Sequence, residues 1–357
     1  MVISIRPEVR ATFTKTRLQQ LENKALEFLA FSDIVSCSGD VFSWLNSQQS
    51  GYIYPEIMGY YLTFGSQYLA AYPNDSPFNQ CLSRRVHRVA QRLQQLVHAK
   101  GGIGRGSALY LFDTAMAITG LLTYGMELKG VVDATCLDRM TAFVCHAIQQ
   151  QQPVVFMQGQ RCALSPRWST EFGSSMLKVV ICLNRLSDWT GDACYRQQGQ
   201  RLVENVMAKY LHQGAFTVLP KPSMVYTHAH CYALEGLLDI HCRGDDNMMS
   251  YLTAGADCLQ RWQNQNGSLF NWNRMPHPVP MQIGDATAQA VRIWLAVDCD
   301  RYQTAIQRGL NFLDQLSTPQ GGLYYGTGSD DINSWVTMFA AQALDWYLRG
   351  SKPRCLV

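Results

Sequence analysis

The sequence predicts an all-α fold in which six helical hairpins close into an (α/α)6 toroid, one domain over residues 1–357. Three observations predict it. Apolar segments rich in small residues recur at near-constant spacing. More polar amphipathic segments lie between them. Glycine or proline marks most of the joins.

The apolar segments are YPEIMGYYLTF from Tyr54, LFDTAMAITGLL around Asp113, WSTEFGSSMLKVVICL around Thr170, VYTHAHCYALEGLL around Thr227, IGDATAQAVRIWLAV around Asp285 and NSWVTMFAAQALDWYL from Asn333. The intervals from Tyr54 through Asp113, Thr170, Thr227 and Asp285 to Asn333 are 59, 57, 57, 58 and 48 residues. A period of this size is the mark of one supersecondary unit used repeatedly. The polar segments cover roughly 8–31, 78–99, 132–150, 192–211, 246–264 and 301–316. In RRVHRVAQRLQQLVHAK the apolar residues return at three and four positions, the pattern of an amphipathic helix. Most of these segments run into glycine, as in AKGGIG, HQGAF, NQNGSL and PQGGLYY, which reads as a left-handed C-terminal cap. The third ends instead at QQQPVVF, where Pro153 stops it. Alternating polar and apolar helices are best buried as an apolar inner ring inside an amphipathic outer ring. An open superhelix is the structural alternative. Six units favour closure, which leaves no end to cap.

Composition bounds the function. Hydrophobic residues make up 47% and charged residues 16%, which suits a large core and excludes a mostly disordered chain. The formal net charge is +3 and the basic residues are scattered, so no nucleic-acid footprint is present. The densest basic cluster, Arg84, Arg85 and Arg88, reads as a solvated helix face. Twelve cysteines include no C-x-x-C and no zinc-finger spacing, and most lie in apolar helical runs, which suggests free thiols in a reducing compartment. The N-terminal MVISIRPEVRATF breaks its apolar start with Arg6, Glu8 and Arg10, and no apolar run is long enough for a membrane span. A cytoplasmic protein is expected.

Six hairpins of this length resemble the toroids of six-hairpin glycosidases, unsaturated uronyl hydrolases and the N-acylglucosamine 2-epimerase group. YPEIMGYYL, LFDTAMAITGLL, YTHAHCYALEGLL and SWVTMFAAQALDWY also resemble toroid proteins of bacterial polysaccharide gene clusters. The resemblance spans nearly the whole chain and implies a saccharide substrate. A second stretch, RGLNFLDQLSTPQGGLYY at 308–325, is similar to the Q-and-W repeat of terpene cyclases. There Tyr324 stands where the repeat has Trp, and neither D-x-D-D nor D-D-x-x-D occurs.

In a toroid the starts of the inner helices gather at one end of a central cavity. Those positions hold Tyr54, Glu56, Asp113, Trp168, Glu171, His228, His230, Asp285, Asp330, Asp331 and Asn333. Carboxylates that bond hydroxyls and aromatics that stack on C–H faces suit a sugar. Asp113, Glu171, His228 and Asp285 are the catalytic candidates. Tyr54, Glu56, Trp168, His230, Trp272, Tyr325, Asp331 and Trp335 are the substrate-binding candidates. Acids also favour the first helical turn for its free N–H groups and dipole. Asp285 reads equally as a cap, and one of Asp330 and Asp331 is expected to cap. His228 and His230 are two apart and so face different sides of a helix, with His228 the one expected in the cavity. Lys178 and Arg292, inside apolar segments, could pair with a cavity acid or hold a uronate carboxylate. There is no dinucleotide fingerprint, no metal motif and no phosphate loop, since GIGRG at 102–106 lacks the required positions; no cofactor is expected. The expected function is general acid–base chemistry on a small-molecule or oligosaccharide substrate, by hydrolysis, hydration or epimerisation. A non-catalytic carbohydrate- or peptide-binding toroid and a cyclase with an apolar cavity are the alternatives.

Overall fold

The computed structural model of the chain describes residues 15–49, 51–156, 170–220, 224–273 and 281–350. Its helices are α1 (Lys15–Phe31), α2 (Pro55–Ala71), α3 (Pro77–Gln95), α4 (Leu111–Leu128), α5 (Ala134–Gln149), α6 (Val179–Thr190), α7 (Ala193–Tyr210), α8 (Thr227–Cys242), α9 (Met248–Trp262), α10 (Gly284–Asp298), α11 (Gln303–Gln315) and α12 (Ser334–Arg349). Odd-numbered helices are the polar segments and even-numbered helices the apolar ones. Their burial differs accordingly. Every residue of α4 from Leu111 to Gly125 is buried, whereas α3 buries only Asn79, Leu82, Val86, Val89, Ala90 and Leu93.

The even helices form a closed inner ring. α2 packs on α4, and contact passes through α6, α8, α10 and α12 back to α2. Each odd helix backs the inner helix before it: α3 on α2, α5 on α4, α7 on α6, α9 on α8, α11 on α10, and α1 on α12. The last contact closes the outer ring, so the architecture is an (α/α)6 toroid and not an open superhelix. The join is reinforced where the chain's two ends meet. Arg349 of α12 reaches Glu22 of α1 at 2.5 Å, and Trp44–Leu45 pairs antiparallel with Ile332–Asn333.

The loop glycines have a different role from the one their position suggests. Ser36–Asp40, His98–Gly102, Asn264–Ser268 and Thr318–Gly322 form the same turn. In each, the first residue's N–H bonds the fifth residue's carbonyl and the fourth donates back to the first, at 2.8–3.1 Å. The glycine therefore sits in a loop turn several residues beyond the helix. The left-handed residues that cap helices are Lys129, Gly191 and Gly350, at the ends of inner helices α4, α6 and α12. Gly321 shows what its turn requires. Its φ is +98°, and a Cβ there would lie 2.4 Å from the carbonyl oxygen of Lys24 in α1. The last loop thus seats directly on the first helix's backbone.

Short strands fix the starts of the inner helices. Val225–Tyr226 pairs with Trp272–Asn273, Leu269–Phe270 with Gln282–Ile283, and Ile103–Arg105 with Ala108–Tyr110, which pairs in turn with Val154–Phe156. The third unit departs from the pattern. Its inner helix α6 begins only at Val179, after a 3₁₀ turn at Ser174–Lys178. Gly173, Ser174 and Ser175 are poor helix formers, so Glu171 falls in a half-buried bend before the helix.

Closure through Gly321 gives a stability test. Gly321→Ala should cost about 1–3 kcal/mol for the left-handed backbone, plus the displacement of Lys24. Gly328, at φ +78° with no atom within 4 Å of its Cβ position, isolates the backbone contribution. Urea unfolding should therefore show Gly321→Ala clearly less stable than Gly328→Ala. Equal losses would mean that the seat on α1 is not tight.

Candidate active site

The inner helices present side chains in three layers along the ring axis. The second residue of each helix forms the top layer: Glu56 in α2, Phe112 in α4, His228 in α8, Asp285 in α10 and Trp335 in α12. One turn on come Tyr60, Met116, Tyr232, Gln289 and Phe339. Two turns on come Thr63, Thr119, Glu235, Arg292 and Gln342, with Lys178 from the third unit joining them through its bond to Glu235. All of these side chains are buried or nearly so: Glu56, Asp113, His228 and Asp285 retain 5%, 3%, 6% and 6% of their surface, and Glu235 and Arg292 none.

One half of the top layer is a carboxyl pair. Asp113, third residue of α4, accepts a hydrogen bond at Oδ1 from the Tyr54 hydroxyl at 3.2 Å. Its Oδ2 has no partner among the described residues. Burial pushes Asp113 up to about 7, against the opposing pull of the Tyr54 bond and the Arg105 charge. Glu56 is driven well above the carboxylate range, first by burial and then by the charge of Asp113, while Tyr60, Lys178 and Trp335 oppose. Both carboxyls are thus driven up, and the pair holds a proton to a higher pH than a surface acid would.

The other half pairs an imidazole with an acid. His228 Nδ1 lies 3.7 Å from Asp285 Oδ2. Burial lowers His228 to about 3, and the charges of Lys178 and Arg292 add to this, so the ring is neutral at neutral pH. The contact is thus no ion pair. Asp285 is no N-cap either, for that position is Ile283. Its Oδ1 accepts from the Ala286 amide at 2.7 Å, and burial raises it to about 7. His228 packs on Tyr232, with ring centres 4.1 Å apart, and on Tyr226 at 6.2 Å. Tyr226 packs tilted against Trp272, with ring centres 4.7 Å apart, and bonds Tyr325. The hydroxyls of Tyr60 and Tyr232, 3.0 Å apart, bridge the two halves.

Beneath them lies an ionic floor. Glu235 takes Lys178 Nζ at 2.7 Å on one oxygen and Arg292 Nη2 at 2.5 Å on the other. Arg292 also bonds Gln342 at 2.6 Å. Lys178 and Arg292 are therefore held by a carboxylate that the sequence reading passed over. One signal was available, because both bonds span 57 residues, the repeat period itself.

Other candidates fall elsewhere. His230 accepts from the Phe216 amide at 3.0 Å through Nδ1, which leaves Nε2 to donate to the Gly255 carbonyl at 3.2 Å. It has the register of Thr114, Thr287 and Thr337, whose hydroxyls accept the amides of Ile103, Leu269 and Leu323 at 3.0 Å. His230 is thus a loop anchor and does not reach either pair. Glu171 lies beside Tyr210 of outer helix α7 and makes no hydrogen bond or ion pair with either half. Asp331 accepts from Asn46 Nδ2 at 2.7 Å. The cap expected of Asp330 or Asp331 is supplied by Asn333, whose side chain accepts from Val336. Trp335 packs on Tyr54, with ring centres 5.9 Å apart. Trp168 lies outside the described residues. Among the described residues, no cluster of His, Cys, Asp and Glu could hold a metal ion, and no helix is long and apolar enough to cross a membrane.

The buried acids set a pH dependence of stability. An acid raised on folding contributes stability that is present below its ordinary value and lost as pH rises through its folded one. Asp285 should therefore cost stability from about pH 4 to about 7. His228, lowered on folding, contributes stability above its ordinary 6.5 that is lost as pH falls toward about 3. Melting temperatures of Asp285→Asn beside the parent should diverge steadily from pH 4 to 7 and stay parallel above it. A difference that does not vary with pH would show that Asp285 is ionised throughout.

No family model matches the chain, and no curated protein matches its sequence. Solved structures do. A sugar epimerase from a ruminal bacterium superposes with a TM-score of 0.73 at 11% identity, covering 96% of this chain and 100% of its own. An unsaturated glucuronyl hydrolase specific for heparin gives 0.71 at 10% identity, over 94% and 97%. Cellobiose 2-epimerase from Spirochaeta thermophila gives 0.65 at 14%, over 95% and 100%. The fold of this chain is the (α/α)6 toroid found in glucuronyl hydrolases and sugar 2-epimerases.

Proposed function

We propose that the protein is a saccharide-processing enzyme of hydrolase or hydratase type, with Asp113 and Glu56 as its acid–base pair. The observation that carries this reading is the Asp113 carboxyl, tethered by Tyr54 through Oδ1, with Oδ2 unpartnered and its pKa near 7. Two coupled carboxyls that hold a proton in this way can divide the roles of base and acid. Ionised Asp113 draws a proton from water through Oδ2, and protonated Glu56 donates to the substrate oxygen or carbon that receives charge. Tyr54 and Trp335 offer ring faces to the sugar. Neutral His228 and Asp285 face it from the opposite half.

Epimerisation fits less well, because it needs a base on each face of one carbon, and a His228 held near 3 is a weak one. A simple binding module gains nothing from a carboxyl held near neutrality. A cyclase of the kind weighed from the sequence would have one acid in an apolar bowl, whereas here two carboxyls stand opposite a third acid and an imidazole. The shared fold with glucuronyl hydrolases and sugar epimerases supports a saccharide substrate.

Asp113→Asn should lower turnover on saccharide pools by roughly a hundredfold or more. Its melting temperature should hold or rise, since a desolvated acid has been removed. For the parent, kcat/KM should climb through about pH 7 as Asp113 ionises. Full activity in Asp113→Asn would end this assignment.

A further inference from the structure

Arg105 is not among the residues that the sequence singles out, and its part in the acid–base chemistry is limited to a charge that moderates the rise of Asp113. It ends the first strand of the arm made by Ile103–Arg105 and Ala108–Tyr110, its backbone paired with Ala108. This arm runs directly into α4, which carries Asp113. The guanidinium is exposed, with its carbon 4.0 Å from the centre of the Tyr52 ring and 5.4 Å from that of Tyr54. Tyr52 is itself 37% exposed and meets Trp44 edge-on, with ring centres 5.0 Å apart. Tyr52, Tyr54 and Trp335 continue as an aromatic file, at 5.5 and 5.9 Å, from the surface down to Asp113 and Glu56. No carboxylate pairs with Arg105 among the described residues. An exposed arginine normally gains little from a fixed position, and its long side chain is costly to order. This one is held over the Tyr52 ring and bonded to that side chain, at the head of the aromatic file and near enough to Asp113 for its charge to act there.

We infer that Arg105, with Tyr52 and Trp44, forms an outer subsite that binds an anionic group, a carboxylate or a sulfate ester, on the substrate unit projecting from the cavity. This inference rests on the saccharide reading of the site. A planar guanidinium meets a carboxylate or sulfate through two parallel N–H bonds, and the flanking rings cover the sugar face beside it. Arg105 is here a specificity residue: it touches substrate but takes no part in proton transfer.

The test compares matched neutral, uronate-containing and sulfated disaccharides by calorimetric binding to the Asp113→Asn protein, with Arg105 intact, as Arg105→Gln and as Arg105→Lys. Melting temperatures should be unchanged, because Arg105 is exposed. With Arg105 intact, the charged ligands should bind more tightly than the neutral one, and raised salt should shrink the difference. Arg105→Gln should cut that charged-over-neutral preference about tenfold, the scale of one charge-assisted hydrogen bond. Arg105→Lys should restore it in part. Whichever anionic ligand loses more identifies the group recognised. If all three disaccharides bind alike, or if Arg105→Gln weakens them by one common factor, the subsite is refuted while the saccharide reading stands. If none binds, both are refuted.

Discussion

Glu235 is buried in the inner ring with a cation on each carboxylate oxygen, and the placement of three inner elements depends on it. Lys178 comes from the 3₁₀ turn of the third unit, Glu235 from α8 and Arg292 from α10. All three are buried, so each has given up its water, and removing one partner of such a pair typically costs about 3–5 kcal/mol. The aromatic layer above helps to hold the excess charge. Lys178 Nζ lies 4.7 Å from the centre of the Tyr60 ring and 4.5 Å from that of Tyr232, and the Arg292 guanidinium lies 4.4 Å from that of Phe339. Two cations against one carboxylate leave the floor net positive. That surplus reaches the layer above: it helps keep His228 neutral and moderates the rise of Glu56. The cations that lock the ring thus also act on the proton states above them, adding to the effect of burial at His228 and opposing it at Glu56.

The starts of the inner helices bring a second field to the same place. Their free N–H groups and dipoles favour anions by about 0.3–1 kcal/mol, and by about 2 at most. Asp113 nevertheless rises from 3.8 to about 7, which corresponds to about 4 kcal/mol in favour of the neutral form. Desolvation wins by a factor of two or more. An acid in this position is not simply a helix-dipole partner, as it would be on the surface. It is a proton carrier whose affinity burial has moved into the working range of pH.

The architecture was legible because its signal repeats. Helix starts, inner and outer roles and the place of the cavity acids all follow from a spacing near 57 residues and from apolar periodicity. Glu171 was misplaced for a local reason: Gly173, Ser174 and Ser175 delay the third inner helix beyond it. His230 was read as a ligand because its partners, the Phe216 amide and the Gly255 carbonyl, are backbone groups that leave no mark in sequence. Its register with Thr114, Thr287 and Thr337 could have exposed it, since T, H, T and T recur at one position of the repeat. Arg105 was hidden differently. It reaches Tyr52 from the arm of the next unit, and neither residue's own unit shows that contact.

The layers also explain how such a toroid can keep its shape when sequence likeness has almost vanished. Loop anchors need only an acceptor, which a threonine or a histidine supplies equally, as three units and one unit here demonstrate. The third layer needs polar side chains that find buried partners, and here the threonines of α2 and α4 turn back to their own helix carbonyls while ions and an amide satisfy one another in the other units. Stability is therefore assigned to positions that accept many residues of one physical type. The top layer is under no such demand: one register holds Glu56, Phe112, His228, Asp285 and Trp335, which share neither charge nor shape. Asp285 spends one oxygen on the Ala286 amide of its own helix, and the rest of the layer packs side chain on side chain, so these residues can change with the reaction while the ring beneath them stays intact. Chemistry in this fold is written on the layer that packing constrains least, which is why the scaffold alone cannot name the reaction and the proton states of Asp113, Glu56, His228 and Asp285 must.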